Sequence, residues 1–274
     1  MLAIDLDFQG SLSATALSDS NSEMLAEEQA GGNLSRAAHL INDKDGAWLC
    51  HCTMNVEGVP KAQILPAYYT LSNMENRVMV EWLIGKRRDD IRYHLAKILH
   101  SPEVQKSFDL VIIDAPPRLT TACVQSLCAC THVLIPTILD ELSAQAVGAF
   151  ADQLRVNQEI WPHLRIVGVV GTMTDNNPGK DGVAPENALK NYEADAIVAI
   201  KDSLAQALLS AAQPLRDTKI LSEKCFIPQK VELGKAAGHR IAYASDGNTA
   251  ALVEIREAFD RLGDAIDRRI LGAV

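Results

Sequence analysis

Three aspartates occupy positions suited to magnesium and water chemistry. Asp5 and Asp7 lie two residues apart at the end of the apolar run Leu2 to Leu6, and Asp114 follows the apolar, β-branched run Phe108 to Ile113. Both runs predict buried strands, and Pro116-Pro117 stops the second because proline cannot extend a ladder. In a parallel sheet, ligands gather beyond the carboxyl ends of the strands. Magnesium there takes a few carboxylates together with waters and phosphate oxygens. Acids at strand ends also serve as plain loop caps, so each aspartate taken singly leaves both readings open.

The elements that must position these acids follow from periodicity. Asp19 to Asn33 is polar and contains glycine, which predicts a loop, and Leu34, Ala37, Ala38 and Ile41 then repeat at helical spacing. Gln63 to Pro66 reads as a short strand. Asn73 to Leu99 reads as helical structure interrupted at Gly85, with Lys86, Arg87 and Arg88 on a solvated face. Further on come strands at Val133 to Ile135 and Ile166 to Val170, separated by the amphipathic segment Glu141 to Ile160. Thr174 to Pro185 reads as a loop and is followed by a helix to about Ala212, a strand at Cys225 to Ile227 and a closing helix from about Asn248 to Leu271. Strands alternating with helices imply an α/β fold with a mostly parallel, doubly wound sheet, and one core spanning 1–274 is the simplest arrangement.

Composition narrows the class. No apolar run approaches the roughly 18 residues that span a bilayer, and Met1 to Asp7 carries two acids and no basic stretch, which predicts a cytoplasmic protein. The six cysteines then read as reduced thiols. Cys50-His51-Cys52 lacks a second ligand pair at zinc spacing. Cys123, Cys128 and Cys130 read as small apolar residues on a packed helix rather than cluster ligands. The net charge of -9 argues against a surface coated in nucleic acid. One stretch runs the other way: between Gln213 and Arg240, Arg216, Lys219, Lys224, Lys230, Lys235 and Arg240 outnumber Asp217, Glu223 and Glu232. Lysines scattered over a solvated face would give the same pattern.

Taken in order, the motifs resemble one family. LAIDLDFQGSLS (Leu2 to Ser13) is similar to the second acidic motif of ParA/MinD-type (Soj-like) partition ATPases, and FDLVIIDAPPRL (Phe108 to Leu119) to their Walker B strand and switch. QILPA, HVLIPTILDELSAQ, VGVVGTMTD and FIPQKVEL follow at matching places along nearly the whole chain. The resemblance implies a P-loop NTPase fold of the SIMIBI, deviant Walker A type. It also implies ATP and Mg2+ as cofactors, an ATP-driven homodimer, and hydrolysis stimulated by a ParB-like partner. Asp7 would orient or activate the attacking water, Asp5 would stand beside the magnesium, and Asp114 would hold the ion through water. Gln9 and Gly10 would sense the nucleotide, while Thr172, Met173, Pro228 and Val231 would line the adenine pocket. The basic stretch lies where the family often meets nonspecific DNA, which would place the protein on the nucleoid of a bacterial cytoplasm.

The sequence departs from the family pattern. Phe8 replaces a proline and Arg118 a serine, so both switch loops are expected to pair differently. No G-x-x-x-x-G-K-[ST] occurs, and Gly179-Lys180 has no glycine framework around it. A phosphate loop normally joins the first strand to the first helix. Its absence predicts that the first βα unit is missing and that apolar strand edges beside the Walker B strand lie open. A non-catalytic scaffold or regulator is therefore the competing reading. A membrane switch built on Phe259, Leu262, Ile266 and Ile270 is not expected, because Asp260, Asp264 and Asp267 lie among them and membrane-surface helices favour basic faces.

Overall fold

The computed structural model describes residues 1–17, 36–180, 182, 188–213, 215–237 and 239–272. The loop expected at Asp19 to Asn33, Leu34 of the helix expected next, and most of Lys180 to Pro185 lie outside these. The chain divides into two compact units, Met1–Cys130 with Lys235–Ser245, and Thr131–Gly234 with Asp246–Val274.

In the first unit β1 (Leu2–Asp5) is followed by α1 (Ser11–Leu17), α2 (Arg36–Asn42), α3 (Gly46–Cys52), β2 (Met54–Asn55), β3 (Gln63–Leu65) and α4 (Thr70–Leu83). Then come α5 (His94–Leu99), α6 (Pro102–Ser107), β4 (Val111–Asp114) and α7 (Thr121–Ala129). The strands order as β2-β3-β1-β4; β1 pairs in parallel with β3 and β4, and the two-residue β2 pairs antiparallel at the edge. Leu2 and Ile4 of the central strand are fully buried, as a strand covered on both faces requires. They join Leu65, Leu71, Leu95 and Ile98 in one core. Glu75, buried on α4, receives the Ala122 N–H at 2.9 Å and so caps the first turn of α7.

Among the described residues β4 is hydrogen-bonded to a strand on one side only. Beside that open edge Leu110 is 46 % and Ile112 48 % exposed, large values for apolar residues on a parallel strand.

The second unit holds β5 (His132–Ile138), α8 (Glu141–Val156), β6 (Arg165–Thr174), α9 (Asn191–Ala207), β7 (Ile227–Pro228) and α11 (Ala250–Ile270). The chain passes from it to the first unit through α10 (Val231–Ala236). Its sheet is parallel with order β5-β6-β7. β6 is buried from Ile166 to Gly171 and runs four residues beyond the predicted Ile166 to Val170, because both neighbours pair along it. α8 and α9 meet where Gly148 leaves room for Ser203; a Cβ there would stand 2.8 Å from the serine Cβ. α11 buries Ile255, Ala258 and Leu262 and is fastened by Arg269, whose guanidinium donates to the Val167 carbonyl at 2.6 Å. Among the described residues no helix is long and apolar enough to cross a membrane.

The interruption at Gly85 is real: α4 ends at Leu83, Gly85 takes φ +74°, and a 3-10 turn at Ile91–Tyr93 leads into α5. The strand predicted at Cys225 to Ile227 is displaced, with Glu223–Cys225 forming a 3-10 turn before β7. All six cysteines are free.

Candidate functional site

In the first unit the carboxyl ends of β1 and β4 bring the three predicted acids together. Asp5 and Asp114 are register partners on adjacent strands, and the Leu6 N–H donates to the Asp114 carbonyl at 2.9 Å. Asp5 is fully buried and its oxygens are occupied. One accepts the Asp7 N–H at 3.1 Å; the other accepts the Ser13 N–H at 2.9 Å and the Ser13 hydroxyl at 2.6 Å. The Ser13 hydroxyl in turn accepts the Ala67 N–H at 2.9 Å, so one carboxylate and one serine tie the ends of β1 and β3 to the first turns of α1.

Asp7 is placed by that turn. It is half-buried and accepts the Gln9 N–H at 3.0 Å, and its carbonyl accepts the Gly10 N–H at 2.9 Å. Only glycine suits position 10: φ is +64°, and a Cβ would lie 2.6 Å from the Ala67 carbonyl oxygen. Gln9 and Phe8 are exposed at the tip. Asp114 reaches solvent, and beyond it Pro117, Arg118 and Leu119 are exposed in a turn closed by Thr120, whose hydroxyl caps α7 at the Cys123 N–H.

The charge at this tip is one-sided. Among the described residues no lysine, arginine or histidine forms an ion pair with Asp5, Asp7 or Asp114. Burial pushes the Asp5 carboxyl up to about 6 against the pull of its hydrogen bonds, with the negative charge of Asp114 adding to the rise. The Asp114 carboxyl is raised by the protein packed around it and then by the negative charge of Asp7. Asp7 and Asp114 retain free oxygens and fit a cation that keeps most of its waters. Asp5 fits less well as a ligand, because its lone pairs already hold the turn in place; no group of three or more histidine, cysteine or acidic residues forms a complete metal cage among the described residues.

In the second unit the predicted base-lining residues also meet. Thr172 pairs with Ile227 and Thr174 with Pro228, and the Gln229 N–H donates to the Thr174 carbonyl at 2.8 Å. Between them Met173 takes φ +57°, where a non-glycine residue is strained, and is 51 % exposed. Val231, 69 % exposed, opens α10 three residues after the buried Pro228. Two residues that sequence reasoning missed hold this tip. Buried Glu193 accepts the Asp175 N–H at 2.9 Å and the Lys190 N–H at 2.7 Å. Arg261 donates to the Lys224 carbonyl at 2.8 Å and to the Asn177 side chain at 3.2 Å. A glutamate in the first turn of a predicted helix was the available signal for Glu193.

The basic stretch is divided. Arg216, Lys219, Lys224 and Lys230 belong to the second unit, Lys235 and Arg240 to the first. Lys230 is engaged: it and Lys180 share the carboxylate of Glu254, which they hold down at about 2.

The fold is α/β with mostly parallel sheets, and it brings acids to the tips of two adjacent strands. Residues 1–166 match AAA_31, an AAA domain family, and the chain belongs to that family. Its fold is similar to pNOB8 ParA, with TM-score 0.63 at 16 % identity over 100 % of this chain and 88 % of that one. It is similar to apo McdA of Cyanothece, with TM-score 0.62 at 16 % identity over 97 % and 86 %. A third likeness, to cobyrinic acid a,c-diamide synthase of Mycobacterium smegmatis with an ATP analogue and magnesium, has TM-score 0.51 at 22 % identity over 73 % and 68 %. pNOB8 ParA is also known bound to nonspecific DNA, and in that state the TM-score is 0.55 at 15 % identity over 100 % and 88 %. No curated protein matches the chain.

Proposed function

We propose that this chain works as a ParA-like, ATP-dependent partition or positioning switch, in which Asp7 orders the attacking water and Asp114 holds Mg2+ through water. The observation that carries this reading is the tip of β1 and β4, where three converging carboxylates have no ion-pair partner among the described residues. A divalent cation bridging nucleotide phosphates would supply the missing positive charge. Asp5 acts as a positioning residue, setting the turn that presents Asp7 and Gln9. Thr172, Met173, Pro228 and Val231 receive the adenine. The switch dimerises on ATP, hydrolyses it when a ParB-like partner binds, and meets DNA through Arg216, Lys219, Lys224, Lys235 and Arg240. Lys230 contributes less, because Glu254 already neutralises it.

No G-x-x-x-x-G-K-[ST] phosphate loop occurs in these 274 residues. The same fact favours a second reading, a ParA-like scaffold that keeps the fold without turnover. Mg·ATP titration and hydrolysis assays on the full gene product separate the two. The switch reading expects hydrolysis that Asp7→Ala abolishes while ATP binding persists; the scaffold reading expects no hydrolysis in either protein.

A further inference from the structure

Helix α4 ends in an apolar surface that its own unit does not use. Leu71, Met74 and Val78 face the core. Trp82 continues that face onto the core, but on another side of the last turns Met79, Val80, Leu83 and Ile84 are 40, 54, 70 and 60 % exposed. Residues four apart on a helix are neighbours, so Met79 with Leu83 and Val80 with Ile84 make a continuous stripe on the last turns. Isolated exposed apolar residues are ordinary on a soluble protein, whereas a contiguous group rimmed by charge marks an interaction site.

The rim is basic. Past Gly85 come Lys86, Arg87 and Arg88. Arg87 is spent on Glu81 at 3.0 Å and on the Asn42 carbonyl at 2.8 Å, and Arg77 on Glu81 at 2.8 Å. Lys86 and Arg88 are exposed and form no ion pair among the described residues. Arg88 also borders a cleft of about 440 Å³ with Lys97 and His94 on its wall. Its acids are Asp90, tied to Arg92, Asp43, beside Lys44 at 3.7 Å, and the exposed Asp89. α4 starts just past the carboxyl end of β3, and its 14 residues carry the chain about 21 Å from its start. This surface is therefore separate from the acidic tip.

We propose that the end of α4 docks an amphipathic helical segment of a partner protein whose apolar stripe is bordered by acidic residues. The stripe supplies anchors at helical spacing, and Lys86 and Arg88 select the charge of the partner's flank. A second copy is a poorer occupant, because it would bring its own exposed Lys86 and Arg88 to a stripe already bordered by the same two cations. The proposal does not depend on the nucleotide reading.

The test uses the full chain and two labelled helical peptides with the same apolar stripe, one flanked by glutamates and one by lysines, followed by fluorescence anisotropy. The acidic peptide should bind at least about tenfold more tightly, with an advantage that shrinks as salt is raised. Leu83→Asp with Ile84→Asp should abolish binding, and Lys86→Glu with Arg88→Glu should reverse the preference. All four positions are exposed, and unchanged thermal unfolding of each variant confirms that the fold is intact. Equal binding of both peptides, or binding of neither, overturns the proposal. So does a dimer that Leu83→Asp with Ile84→Asp converts to monomer in sedimentation, which would assign the stripe to a second copy. Co-sedimentation with phosphatidylglycerol vesicles that those substitutions abolish would assign it to a lipid surface and overturn it likewise.

Discussion

Asp5 in the first unit and Glu193 in the second are both fully or almost fully buried, and both hold a strand tip by accepting backbone N–H groups. Their surroundings differ. Asp5 stands beside Asp114 and Asp7, with no cation of the protein to offset them among the described residues. In the second unit Glu193 is held, among the described residues, by backbone N–H groups alone, while nearby Lys180 and Lys230 pair with Glu254 and Arg261 donates to loop oxygens. One tip is left electrostatically incomplete and the other is closed. For the proposed switch, the first kind of tip would take the metal ion and the second would face the base.

Replacing the two buried carboxylates should give the largest effects. Asp5→Ala strands the Ser13 N–H and hydroxyl and the Asp7 N–H, and should cost the first unit about 3 kcal/mol or more in urea unfolding. Glu193→Ala strands two N–H groups and should cost the second unit about 2 kcal/mol. Asp7→Ala, which loses one bond at a partly exposed site, should stay within about 1 kcal/mol of the unchanged protein. An Asp7 variant as unstable as the Asp5 variant would break the division between positioning and reacting acid.

The pH dependence should have opposite sign in the two units. Asp5 has its folded pKa raised from 3.8 to about 6, so the folded state binds the proton more tightly. Stability of the first unit should therefore fall as pH rises from about 4 to about 6. Glu254 has its folded pKa lowered from 4.5 to about 2, so its contribution is present above about 4.5 and is lost as pH falls toward 2. Hydrogen exchange resolved by segment measures both slopes, and Glu254→Gln should remove the second alone.

The smallest effect sharpens the electrostatic contrast. Asp114→Asn removes one of three clustered carboxylates and should raise the melting temperature slightly in metal-free buffer. Adding magnesium should narrow the gap between variant and parent. A variant less stable than the parent without metal would mean that Asp114 is held by contacts rather than opposed by its neighbours.

Much of the acidic tip could be read from the chain, because its signals are local. Asp5, Asp7 and Asp114 each terminate an apolar run, and a proline pair or a glycine marks the turn that follows. Ser13 could not be read, since its role depends on α1 folding back so that one hydroxyl reaches both Asp5 and the N–H of Ala67, 54 residues beyond Ser13 in sequence. α3 and α6 went unread, being helices of 7 and 6 residues whose patterns are too short to show a period. The basic stretch looked uniform in sequence; tertiary pairing with Glu254 sets Lys230 apart.

The central claim is that the unpaired acids of the first unit serve Mg·ATP, and hydrolysis by the full gene product in parallel with its Asp7→Ala and Asp114→Asn variants tests it most directly. The account predicts magnesium-dependent release of phosphate, lost in Asp7→Ala with ATP binding retained, and a rightward shift of the magnesium requirement in Asp114→Asn. Phosphate release that neither substitution alters, or a full gene product that releases none, would contradict it.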